Sequence, residues 1–142
     1  MYCIANIANS YQIPAGLILA VRKIEGGRVG QAVKDPNDSY DLGPMQINSV
    51  TWLPVLARLH ISRADVLRNR CTNIAVGAWI LRREYGRYGN WFQAVAAYHA
   101  GPSRAATSIG INYARRVFSV WGQQPLHSST SQPVEYTNHE AP

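Results

Sequence analysis

Acidic residues are scarce in this 142-residue chain: 8 Asp and Glu stand against 14 Lys and Arg, and charged residues of both signs make up only 15% of it. Cysteine is scarcer still. Cys3 and Cys71 are too few and too far apart for a metal site, and neither a Cys-x-x-Cys nor a His-Glu-x-x-His pattern occurs. His60, His99, His127 and His139 form no ligand cluster along the chain, so no metal and no cofactor is expected. The two cysteines are expected to form one disulfide between an opening helix and a long later one, with two buried thiols as the alternative. No apolar run reaches the roughly 18 residues of a spanning helix, so no membrane span is expected. Basic residues never run longer than two, and neither a recognition-helix pattern nor an alternation of Arg with aromatics accompanies them. Nucleic acid is therefore not an expected partner.

What the chain does have is a hydrophobic content of 46%, enough for one domain with a real core and too little length to divide in two. The expected domain covers residues 1–122. From Gln123 onward Gln, Pro, Ser and Thr dominate, no Lys or Arg occurs, and 123–142 reads as a disordered polar tail. Residues 1–122 then hold 14 basic against 6 acidic residues. An excess of about +8 suits long-range attraction to an anionic polymer.

Apolar spacing and helix punctuation predict a mainly helical fold. Helices are expected over Ile4–Ser10, Pro14–Glu25, Val50–Leu59 with an interruption near Pro54, from Ser62, over Cys71–Tyr85, over Trp91–His99 with Asn90 as cap, and over Asn112–Trp121. Gly26 to Gly43 is the one non-helical stretch of consequence, a loop or short hairpin. Trp52, Trp79, Trp91 and Trp121 stand at helical spacings beside aliphatic residues and read as core.

Within this frame one carboxylate is out of place. Glu25 falls in the last turn of the Pro14–Glu25 helix, and counting back by four and seven reaches Val21 and Ile18. It therefore projects along the apolar stripe. Desolvation disfavours the charged carboxylate, and so does the partial negative charge at a helix C-terminus. A carboxyl group kept protonated near neutral pH is a proton donor suited to a poor leaving group, such as a glycosidic oxygen.

A second carboxylate follows 16 residues later, in the run Asp38-Ser39-Tyr40-Asp41-Leu42-Gly43-Pro44-Met45-Gln46-Ile47-Asn48-Ser49. A doubled-back loop would set Asp41 across a cleft from Glu25, the paired arrangement common in glycoside cleavage. Alone, Asp41 reads equally as a turn residue.

The helix ending in Glu25, the Ser39–Asn48 run, Ala97-Tyr98-His99-Ala100-Gly101 and the Cys71-Thr72-Asn73-Ile74-Ala75-Val76-Gly77-Ala78-Trp79-Ile80-Leu81 helix together resemble the lysozyme-like lytic transglycosylases of bacterial peptidoglycan. The likeness covers most of residues 1–122 and is nearest to the small members that accompany secretion, conjugation and pilus systems. It implies a single α+β lysozyme-like domain with a glycan-binding cleft, with Glu25 as catalytic acid and Asp41 as its catalytic partner. It further implies substrate contacts from Ser39, Met45, Gln46, Asn48, Tyr98, His99 and Tyr113. Tyr98 and Tyr113 are the candidate sugar platforms, although Tyr113 also lies one turn from Val117 on an apolar face.

Three departures stand out. Gly26 replaces the Ser that often follows the glutamate, Pro44 replaces the usual Leu and removes a backbone donor, and His99 replaces the usual Asn. The Asp41 run is also similar to the strand that carries the second carboxylate of animal-type lysozymes. Cleavage by transfer to the sugar's own 6-hydroxyl, giving 1,6-anhydro ends, is favoured over hydrolysis directed by Asp41. Binding without cleavage is the third reading. The resemblance implies peptidoglycan strands as partner, an envelope-spanning apparatus as a second partner, a monomer, and a periplasmic location reached with a leader absent from the sequence as given.

Overall fold

The computed structural model describes residues 2–122. The expected polar tail, 123–142, lies outside the described residues. Seven helices and a small sheet are present among them: α1 (Tyr2–Tyr11), α2 (Ala15–Glu25), β1 (Ala32–Lys34), β2 (Tyr40–Leu42), β3 (Ile47–Asn48), α3 (Ser49–Arg58), α4 (Arg63–Arg68), α5 (Arg70–Tyr88), α6 (Trp91–Ala100) and α7 (Ser108–Trp121). A single 3-10 turn, Pro102–Arg104, joins the last two helices. The architecture is the expected α+β lysozyme-like one, helical with a small antiparallel sheet.

Several helix boundaries have a local cause. Gly26 ends α2 in the left-handed region at φ 69°, with its N–H bonded to the Arg22 carbonyl. Asn90 caps α6 by accepting from Gln93 N–H, as its sequence position predicts. Ser62 and Asp65 form a reciprocal capping box at α4. Three helices are clearly longer than expected: α1 spans Tyr2–Tyr11, α5 runs on to Tyr88, where Gly89 stops it, and α7 begins at Ser108. The expected break at Pro54 is corrected, because α3 continues through it. Proline removes one backbone bond there, and the carbonyl left over belongs to Val50, an exposed residue that water can reach.

The core runs through α2, α5, α6 and α7, with Leu17, Ile18, Val21, Ile74, Leu81, Val95 and Val117 fully buried. Helix α6 buries Ala94, Val95, Ala96 and Ala97 and packs against both α5 and α7, while Gln93 and His99 face solvent. Gly77 lets α5 approach the loop between β2 and β3, since a Cβ there would meet the Met45 side chain at 2.7 Å. Cys3 and Cys71 form the expected disulfide, tying α1 to α5 with Cα atoms 5.8 Å apart.

Strand order in the sheet is β1-β2-β3, antiparallel throughout. The register sets Asp41 on β2 between Val33 on β1 and Asn48 on β3. The sheet therefore presents Asp41 and Asn48 side by side.

Candidate functional site

A cleft of about 750 Å³ lies between the sheet and the helices, lined by residues of the α2 terminus, β2, β3, α3, α5 and the end of α6. Glu25, Asp41, Gln46, Asn48, Tyr98 and His99 all line it. Chain positions 25, 41 and 98 are thus brought together.

Glu25 is the best-defined group of the cleft. Tyr113, from the middle of α7, donates its hydroxyl to Glu25 Oε1 at 2.5 Å. Burial pushes the Glu25 carboxyl up to about 7, the nearby charge of Asp41 adds to the rise, and the Tyr113 hydrogen bond and Arg116 oppose it. Burial is the larger effect. Tyr113 is itself only 3% exposed, and the same surroundings push its hydroxyl well above the usual tyrosine range. It remains a donor at any ordinary pH.

Tyr113 does not present an open face to the cleft, because the His99 ring stacks on it with centroids 4.3 Å apart and planes 6° from parallel. His99, which is exposed, forms the outer layer of this stack. Partial desolvation of the ring, one face of which lies against Tyr113, and the charge of Arg116 both lower the His99 pKa, which favours the neutral ring. Tyr98 is half-buried and donates its hydroxyl to the Met45 carbonyl at 2.7 Å, so it binds the loop as well as lining the cleft.

Asn48 organises the second carboxylate. Its Oδ1 accepts from Val50 N–H and Thr51 N–H, capping α3. Its Nδ2 donates to Ser39 Oγ at 2.9 Å and to Asp41 Oδ1 at 3.2 Å, and reaches Asp35 Oδ2 at 3.4 Å. The amide thus has both ends occupied. Burial raises the Asp41 pKa, the Asn48 bond lowers it, and the charge of Asp35 raises it again. Ser39 is 1% exposed and its hydroxyl donates within this network, to Asn37 Oδ1 at 2.7 Å.

The loop between β2 and β3 is a tight turn closed by Gln46 N–H to the Gly43 carbonyl. Gly43 has φ 66° and Gln46 has φ 52°, so a side chain that ordinarily avoids the left-handed region is held in it. Gln46 Nε2 also donates to the Gly43 carbonyl. Gly27 packs beneath this turn, where a Cβ would collide with the Gly43 carbonyl and the Gln46 amide. Met45 carries no exposed side chain and contributes its carbonyl, used by Tyr98.

Three groups of this region were not singled out by the sequence. Asn73 on α5 is fully buried and satisfied: Nδ2 donates to the Leu42 and Val66 carbonyls, and Oδ1 accepts from Met45 N–H. Trp52, expected as core, is half-buried and lines the cleft. Its position four residues after Asn48 was the available signal, since both then lie on one side of the start of α3. Arg83, Glu84 and Arg87 also line the cleft, and nothing in their spacing distinguishes them from an ordinary helix face. Among the described residues no group of three or more His, Cys, Asp or Glu is arranged to hold a metal.

The family model described as Transglycosylase SLT domain matches residues 2–119. Invasion protein IagB of Salmonella typhimurium is 32% identical over 117 residues, covering 82% of this chain and 72% of that protein. The Peptidoglycan-binding-like protein of Escherichia coli O157:H7 is 28% identical over 127 residues, covering 84% and 75%. Protein IpgF of Shigella flexneri is 29% identical over 117 residues, covering 82% and 76%.

Proposed function

The chain belongs to the Transglycosylase SLT domain family, and from that premise we propose that it cleaves the β-1,4 bond between N-acetylmuramic acid and N-acetylglucosamine in peptidoglycan, leaving 1,6-anhydro ends. One observation carries the reading. Glu25 ends a helix inside the cleft, is desolvated, and has its carboxyl raised to about 7, so much of it is protonated near neutral pH.

The chemistry follows from that proton. Glu25 gives it to the glycosidic oxygen as the bond from C1 to that oxygen breaks. The C6 hydroxyl of the same muramic residue then attacks C1, and its proton passes to the Glu25 carboxylate. No water is consumed and Glu25 returns to its starting state. Tyr113 holds the carboxyl in place through both steps, and its hydrogen bond favours the carboxylate produced by the first. Asp41, ionised, would stabilise positive charge developing at C1. Gln46, Asn48, Tyr98 and His99 supply the polar and aromatic contacts of the groove.

A hydrolytic outcome, with Asp41 directing water or attacking C1, is the second reading. It is favoured by the built support of Asp41 through Asn48 and Ser39. Mass spectrometry of fragments released from purified peptidoglycan by the protein and by Glu25→Gln separates the outcomes. Anhydro-muramic ends made only by the unaltered protein are expected, with the variant slower by about 10²-fold or more. Reducing ends would support hydrolysis, and equal release by the variant would remove Glu25 from the chemistry.

The reading extends to the cell. Relatives named for invasion and for peptidoglycan binding fit a periplasmic enzyme that opens the wall locally for an envelope-spanning secretion, conjugation or pilus apparatus.

A further inference from the structure

Charge is segregated in this molecule. Of the 6 acidic residues in 1–122, Glu25, Asp35, Asp41 and Glu84 line the cleft and Asp38 pairs with Lys34. The remaining one, Asp65, is held by Ser62 N–H at 2.8 Å in the α4 capping box. Most of the basic side chains therefore stand on surfaces without a counter-charge.

Five of them fall on one face. Helix periodicity turns Lys23 to the side of α2 away from Glu25, about 200° around the axis, with Leu19 one turn before it. Arg22 neighbours Arg70 at the start of α5: partial burial and then the charge of Arg70 lower the Arg22 pKa. Gly30 N–H donates to the Leu67 carbonyl at 2.7 Å, which fastens the Arg28–Gln31 turn to the end of α4, where Arg68 follows. Lys23, Arg28, Arg68 and Arg70 are exposed, and none of the five makes an ion pair among the described residues. None lines the cleft. Leu19, 46% exposed, and Val29, 48% exposed, stand among them.

Like charges held together without an acid repel one another, and an anionic partner removes that cost. The five come from four separate segments, so they spread over a broad face instead of converging on one small anion. A broad basic face carrying aliphatic side chains has the chemistry of attachment to an anionic bilayer. Lys and Arg meet headgroup phosphates, while Leu and Val enter the interface. We propose that the face built from Leu19, Arg22, Lys23, Arg28, Arg68 and Arg70 docks this protein on a membrane surface rich in anionic phospholipids. Glu25 lies on the opposite side of α2, so the cleft stays free for its substrate.

The test is co-sedimentation with vesicles of phosphatidylcholine alone and with vesicles in which phosphatidylglycerol replaces part of it. Binding is expected only to the second kind, and strong salt should abolish it. Lys23→Gln with Arg70→Gln should weaken it at least about tenfold, and Arg68→Gln alone about fivefold. Arg58→Gln with Arg104→Gln removes the same charge from α3 and the 3-10 turn and should cost no more than about twofold. All five positions are exposed, and unchanged melting temperatures would show that the variants fold. Equal losses in the two double variants would show attraction by net charge without a docking face and overturn the proposal. Equal binding to both vesicles, or binding to neither, would also overturn it. Selective loss of binding to lipid-free peptidoglycan in the Lys23 and Arg70 variant, with vesicle binding intact, would assign the face to the wall polymer instead. Cleavage of soluble glycan strands by that variant should keep the unaltered rate, so the membrane inference and the catalytic reading fail separately.

Discussion

Glu25 and Tyr113 act as a unit, and the sign of each effect on the carboxyl can be worked out. Burial raises the Glu25 pKa from an ordinary 4.5 to about 7. The proton-donating form is therefore lost as pH rises through about 7, and cleavage should fall along that limb. Stability follows the same direction. A folded-state pKa above the unfolded value stabilises the fold most at low pH, and that contribution disappears as pH climbs from about 4.5 to 7. The raised value corresponds to about 3 kcal/mol. Glu25→Gln has no proton to lose, so its melting temperature should exceed that of the unaltered protein at pH 8 and match it near pH 4. Tyr113→Phe removes a hydrogen bond that lowers the Glu25 pKa, so its pH–rate limb should move to higher pH. A limb that stays in place would show that Tyr113 has no influence on the acid. The Glu25 placement was legible from the sequence, because helix periodicity and Gly26 fixed which face it shares. The Tyr113 contact was not. It joins residues 88 positions apart, and the same apolar spacing beside Val117 serves a core tyrosine equally well.

At the scale of elements, the turn between β2 and β3 is held from beneath by α5, with Asn73 making the polar contacts. Asn73 satisfies Met45 N–H and the Leu42 and Val66 carbonyls at once, all in a buried setting. Asn73→Ala would strand those three backbone groups, which predicts a loss of about 3–5 kcal/mol in chemical denaturation. A loss under about 1 kcal/mol would mean that water replaces the amide. Gly27→Ala tests the turn from the other side. Its Cβ would displace the Gly43 carbonyl and Gln46, so the expected outcome is weaker glycan binding with the helices intact by circular dichroism. Most helices were legible because each carries its own stop or start signal, as Gly26 and Asn90 do. Pro54 misled, since a proline signals a break whether or not the freed carbonyl can reach water. Trp52 packs against the core as its spacing implied, but spacing places a residue on a face without stating what covers the rest of it. In this fold the cleft leaves part of that face open.

Taken whole, the molecule sets a carboxyl-bearing sheet and a guanidinium-bearing helix around one cleft, with α6 packed between α5 and α7. The Cys3–Cys71 bond ties α1 to α5 across a sequence separation of 68. Closing a loop of that length stabilises the fold by about 4 kcal/mol on the chain-entropy account. Reduction should lower the denaturation midpoint accordingly, and an unchanged midpoint would show that the packing of α1 alone holds it. The class of fold was legible in the sequence, whereas the meeting of residues 25, 41, 73, 98 and 113 arises only when the chain closes. The cleavage chemistry proposed for the cleft rests on the protonation of Glu25. The direct measurement is a carbon-13 NMR titration of its side-chain carboxyl in the folded protein. A midpoint near 7 is predicted, and a midpoint in the ordinary carboxylate range, about 4 to 5, would contradict its role as the acid.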